Sequence, residues 1–183
     1  MAPQANNQKT QSRAPRGGAP VESSPFEETV INIDRVSRVV KGGRRFRFKA
    51  LVVVGDGKNK VGVGVSKGQD VQSAVAKATD VAKKNLITIP VINGTIPHEA
   101  EVKLSGARVL IKPAAPGTGV IAGGVVRQVI GVTGINNLLS KSLGSTNKVN
   151  IAYATVEALQ SLVPREKWVT TTQQKASAKK ETK

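Results

Sequence analysis

The chain contains no cysteine and a single histidine, His98. Disulfides and thiolate-held metals are therefore excluded, and one imidazole cannot make a histidine-rich metal site. Aromatic residues make up only 3% of the sequence, so the interior has to be built from Val, Ile, Leu and Ala. No apolar run approaches the ~18 residues of a membrane span, and the first residues lack the apolar stretch of a secretory signal. These absences lead to the expectation of a soluble, cytoplasmic protein with no metal and no cofactor.

Acidic residues show the most informative gap. Between Val102 and Val156 there is no Asp or Glu, while Lys103, Arg108, Lys112, Arg127, Lys141 and Lys148 all fall in that span. General acid–base pairs, carboxylate-held Mg²⁺ and glycosidase dyads all need carboxylates, and this stretch offers none. With one histidine beside Pro97, a Ser-His-Asp arrangement has little support either, and His98 reads as a surface-loop residue. The sequence points away from an enzyme and from a small-molecule substrate.

What the chain has in excess is positive charge: 183 residues carry a formal net charge of +16. Residues 1–25 hold three basic residues and one acid, and residues 164–183 hold six and two, which leaves +10 on residues 26–163. The folded part is itself basic, and such a surface calls for a polyanionic partner.

Residues 1–25 are rich in Pro, Gln, Asn, Ser and Gly and bury too little apolar surface to order, so disorder is expected there. A transit peptide is the rival reading, although no amphipathic period supports it. From Thr29 the composition changes. Val30, Ile31, Ile33, Val36, Val39 and Val40 form an extended, β-branched run. Gly42-Gly43 permits a tight reversal, after which Phe46, Phe48, Ala50, Val52 and Val54 alternate strictly with other residues. Arg45, Arg47 and Lys49 hold the opposite parity and share the other face.

Around the reversal, from Arg35 to Lys49, stand seven cations (Arg35, Arg38, Lys41, Arg44, Arg45, Arg47, Lys49) and no acid. A rigid hairpin of this charge suits a phosphate backbone. Phe46 and Phe48 can anchor the hairpin in a core or stack on bases; their shared parity with Ala50 favours the core. Gly55 to Asn59 is a turn, and Val61, Val63 and Val65 alternate with glycine in a third strand. Asp70 is a candidate N-cap for a helix whose stripe runs Val71, Ala74, Val75, Ala78, Val81, Ala82.

Residues 91–163 mix short strands with two helices. Asn93-Gly94 is a turn, 102–104 and 109–111 are short strands, and a helical pattern follows Gly123-Gly124. The segment 135–139 is a further apolar run, and Asn147 or Asn150 can cap a last helix. The glycines 117, 119, 123 and 124 lie between strand and helix, as in a phosphate cradle. Their spacing misses the dinucleotide fingerprint, however, and no acid follows to hold a ribose. Nucleotide binding is disfavoured; contact with an RNA phosphate or with another protein stays open.

Val36-Ser37-Arg38, Val40-Lys41-Gly42-Gly43-Arg44, Val53-Val54-Gly55-Asp56-Gly57, Val61-Gly62-Val63-Gly64, Asn93-Gly94-Thr95, Pro113-Ala114, Gly117 through Gly124 and Gly144-Ser145-Thr146-Asn147 occur in this order. Together they resemble the family of small-subunit ribosomal protein five over about residues 28–162. The resemblance implies an α+β fold. A disordered tail (1–25) precedes a domain similar to a double-stranded-RNA-binding domain without its leading helix, a three-stranded antiparallel sheet plus helix (26–90). A small α/β domain with two helices (91–163) and a disordered basic tail (164–183) complete it. It further implies a non-catalytic ribosomal constituent that binds small-subunit rRNA, touches small-subunit proteins four and eight, braces head against body, contributes to translational accuracy and lies near the messenger RNA entry path. Carried onto this sequence, the loop from Ser37 through Arg38, Lys41, Gly42, Gly43 and Arg44 would enter rRNA, beside the spectinomycin site in bacterial members; the charge of the hairpin itself adds Arg45, Arg47 and Lys49 to the expected rRNA-binding residues. Gly117, Gly119 and Arg127 would meet protein four.

Overall fold

The structure is a computed structural model that describes residues 26–168. The two tails expected to be disordered lie outside the described residues, except for 164–168. β1 (Glu27–Val40), β2 (Gly43–Gly55) and β3 (Lys60–Gly68) form an antiparallel meander, followed by α1 (Val71–Lys84). The expected sheet of three strands has a fourth, β4 (Ile87–Thr88), which pairs with β3 at Lys60 and Val61. Two residues are too few to leave a periodic signal.

The C-terminal half contains β5 (Ala100–Leu104), β6 (Ala107–Pro113), β7 (Val120–Ile121), α2 (Gly124–Gly131), β8 (Leu138–Gly144) and α3 (Lys148–Gln160). The second sheet has the order β5-β6-β8-β7, antiparallel except for the β7–β8 pair. The apolar run expected at 135–139 is thus only the entry to a strand that continues to Gly144 through Ser140, Lys141 and Ser142. Asn147 caps α3: its Oδ1 accepts from the Val149 N–H at 3.1 Å. Past Pro164 the chain makes one 3₁₀ turn, Arg165–Lys167, before Trp168. There the Trp168 indole N–H donates to the Val163 carbonyl and the Val163 N–H donates to His98 Nε2. His98 is therefore a tether for this segment and not an idle loop residue.

The first sheet is covered on both faces. Ala50, Val52 and Val54 pack on α1 through Ala74, Ala78 and Ala82, all fully buried. Leu51, Val53, Val61 and Val63 point the other way, into a core shared with Ile111, Val129, Ile130 and Leu159 of the C-terminal half. The uninterrupted apolar run Ala50–Val54 is what burial on both faces demands. Along β3 the valines feed this shared core while the glycines face α1. A Cβ on Gly64 would lie 2.1 Å from the Ala78 carbonyl oxygen, and one on Gly62 2.3 Å from that of Ala82. Glycine against an alanine stripe brings helix and sheet closer than side chains would allow.

The halves also meet backbone to backbone. The Gly57 N–H donates to the Val132 carbonyl at 3.1 Å. A Cβ on Gly55 would stand 2.0 Å from that same oxygen, and Gly134, with φ of +70°, would put one 2.4 Å from the Gly57 carbonyl. The β2–β3 turn is itself rigid, because Asp56 Oδ1 accepts from the N–H groups of Lys58, Asn59 and Lys60, each at 2.9 Å. Burial alone would raise the Asp56 carboxyl, but these backbone donors outweigh it and hold the group below its usual value.

Candidate nucleic-acid interface

β1 and β2 pair along their whole length, to Val40 opposite Gly43, whereas β3 leaves β2 at Phe48 opposite Gly68. Residues 43–47 and their partners 36–40 therefore run beyond the sheet as a two-stranded arm, on the order of 16 Å long at the usual rise per residue. Lys41 and Gly42 make the turn. Gly42 and Gly43 have φ of +87° and +151°, values that glycine alone takes without strain.

Register sorts the cations by face. Arg38 stands opposite Arg45 and Val36 opposite Arg47, so these arginines share one face of the arm, while Arg44 lies opposite Val39 on the other. Arg38, Lys41, Arg44, Arg45 and Arg47 are exposed, and among the described residues no carboxylate is within ion-pair distance of them. Lys49 differs from the rest: its Nζ is 2.8 Å from Asp34 Oδ2, just outside the acid-free stretch but directly opposite in register. The Lys49 hydrogen bond, helped by a second from Asn32, holds the Asp34 carboxyl below its usual value. Lys49 is thus neutralised within the fold, and the arm itself carries the unpaired charge.

The two phenylalanines part company. Phe48 is half-buried against the core under α1, as its parity implies. Phe46, expected inward with it, is 49% exposed, and the Arg35 guanidinium lies 3.7 Å from its ring centroid. Phe46 is on the correct face, but the arm has already left the sheet and no core lies beneath it. Stacking on Arg35 replaces burial.

The glycine-rich loop before β7 forms a second locus. Gly117 and Gly119 have φ of +89° and +74° with open space where a Cβ would stand, so the turn requires them for conformation and not for room. Their N–H groups both donate to Asn137 Oδ1, at 3.1 Å each. Two of the donors that a phosphate cradle would offer, the Gly117 and Gly119 amides, are therefore already used within the loop, which counts against the nucleotide reading. Asn137 is a residue that sequence reasoning missed; a polar side chain next to an apolar strand was its only local signal. Gly117 is exposed, Gly119 half-buried, and Arg127 is exposed on α2 just beyond β7. Arg127, too, has no carboxylate within ion-pair distance among the described residues.

Two family models match this chain: the ribosomal protein S5 N-terminal domain over residues 26–90 and the ribosomal protein S5 C-terminal domain over residues 102–170. The chain belongs to the ribosomal protein S5 family. It is similar to the small ribosomal subunit protein uS5 of Thermotoga maritima, with 49% identity over 143 residues that cover 78% of this chain and 80% of the relative. Membership makes the chain a structural, non-enzymatic component of the small ribosomal subunit, working among rRNA and other ribosomal proteins.

Proposed function

We propose that the β1–β2 arm inserts into small-subunit rRNA, with Arg38, Lys41, Arg44, Arg45 and Arg47 as its phosphate-binding cations and Gly42-Gly43 shaping the tip. The observation that carries this reading is the cross-strand pair Arg38–Arg45, like charges directly opposed with no counter-ion among the described residues. Such a pair costs stability in the free protein and is offset when a polyanion binds. Lys49 belongs to the base of the arm, where Asp34 holds it.

In the same reading, residues 26–90 work as a double-stranded-RNA-binding-like module and residues 91–163 as a partner-facing module. Gly117, Gly119 and Arg127 would meet protein four, and protein eight would be a further neighbour. Bracing head against body, near the messenger entry path, needs a stiff link between arm and C-terminal half. The close backbone approach of Gly55 and Gly57 to Val132 and Gly134 supplies such a link. An influence on decoding accuracy would act through the contact with protein four.

The test is sedimentation of tagged full-length protein, wild type against Lys41→Glu combined with Arg44→Glu. Wild type is expected to travel with small subunits in moderate salt, and the variant to shift toward the top of the gradient with weaker rRNA crosslinking at the loop. Wild-type protein that stays at the top overturns the assignment. A variant that incorporates and crosslinks normally removes the arm from it.

A further inference from the structure

Where the arm leaves the sheet, a recess of about 500 Å³ opens between it and α1, lined by Arg45, Arg47, Lys67, Gln69 and Lys77. A second recess of about 290 Å³ shares Arg45, Arg47 and Lys67 with the first and adds Ser37 and Arg38. The geometry follows from the strand register. Lys67 stands opposite Lys49 on β3, one residue before the strand ends at Gly68, and so joins the face that carries Arg45 and Arg47. Gly68 lies directly on the start of α1, where a Cβ would come within 2.5 Å of the Ala74 N atom. That contact brings Lys77 to the other lip of the recess.

Among the described residues no acid lines either recess. Asp70, the nearest acid in sequence, is the N-cap of α1, and among the described residues the ion pairs use Lys49, Lys83, Arg108 and Lys112, none of them recess cations. Four unpaired cations in one concavity repel one another and attract a chain of anions.

We infer that the crook between the arm and α1 is a second RNA-backbone site, in which Lys67 and Lys77 bind the sugar–phosphate chain that passes along Arg45 and Arg47. This inference rests on the RNA reading of the arm and extends it to two residues outside the hairpin. Cations two residues apart on one strand face are roughly 6.6 Å apart, the scale of a nucleotide step. The track from Arg38 through Arg45 and Arg47 to Lys67 thus suits one continuous backbone strand rather than an isolated phosphate.

The experiment is filter binding of the full chain to transcribed small-subunit rRNA from 50 to 300 mM KCl, read as the slope of log K against log salt. Three double variants are compared: Lys67→Gln with Lys77→Gln in the crook, Lys41→Gln with Arg44→Gln at the tip, and Lys103→Gln with Lys141→Gln on the C-terminal sheet. Each lost phosphate contact flattens the slope by about 1, so the crook variant is expected to lose about 2 while the C-terminal control loses none. An unchanged slope for a folded crook variant, with the tip variant flattened, overturns the crook and leaves the arm standing. Equal flattening in the C-terminal control reduces the crook to net charge and overturns it as a site. No change in any variant overturns the RNA reading of the arm itself.

Discussion

Lys148, in the first turn of α3, donates a hydrogen bond to Asn32 Oδ1 on β1 at 2.7 Å, across the two halves of the molecule. Asn32 passes the contact on: its Nδ2 donates to Asp34 Oδ1 at 2.6 Å, and Asp34 in turn holds Lys49. The relay begins where the β1–β2 register shifts between Val30 and Asn32, and it ends at the base of the arm. A bulge that re-aims one side chain thereby ties the direction of the arm to the C-terminal half.

Asp34 makes this relay sensitive to acid. Its carboxyl sits below the usual value, so the stability it contributes is present in full above the unfolded-state pKa and is lost as pH falls through the depressed folded value. Thermal unfolding of wild type and Asp34→Asn is expected to differ at pH 6, with the gap closing below about pH 4. A gap that persists at low pH assigns the effect to something other than this carboxylate.

Gly64 tests the close packing of helix on sheet. Gly64→Ala places a Cβ against the Ala78 carbonyl, which only a backbone shift can relieve. A loss of about 1–3 kcal/mol in urea denaturation is expected. Gly131→Ala, exposed in the last turn of α2 with open space where a Cβ would stand, should cost nothing.

Asn137→Ala removes the acceptor that the Gly117 and Gly119 amides share. The expected cost is about 1–2 kcal/mol, and hydrogen exchange at those two amides should accelerate while the β1–β2 pairing keeps its protection. Unchanged exchange at Gly117 and Gly119 would show that the loop holds its shape without Asn137.

Much of the fold is legible because local rules and the global structure agree. The alternation in β2 and the Gly42-Gly43 turn each emerge in place, as do the alanine stripe of α1 and the Asn147 cap. The features that escape depend on what lies opposite. From Ala50 to Val54 every residue is apolar, and alternation seen from one side hides Leu51 and Val53, whose core is supplied by residues some 60–110 positions later. β4 and β7 are two residues long and exist only through their partners. Phe46 obeys the strand period but stands past the end of the layer that would bury it. The charge on the arm was legible almost in full; that Asp34 neutralises Lys49 required the register, and Lys67 and Lys77 required the path of β3 to its end.

Because β2 sends neighbouring side chains into two different cores, the first half of the chain is never a finished article. Val52 finds its partners as soon as α1 forms, but Val53 waits for α2 and α3, which leave the exit tunnel of the synthesising ribosome later. Until then Leu51, Val53, Val61 and Val63 present a greasy sheet face to solvent, a period of exposure that a chaperone can shield. Once closed, the two cores share a strand, so the molecule is expected to melt in a single cooperative step rather than in halves.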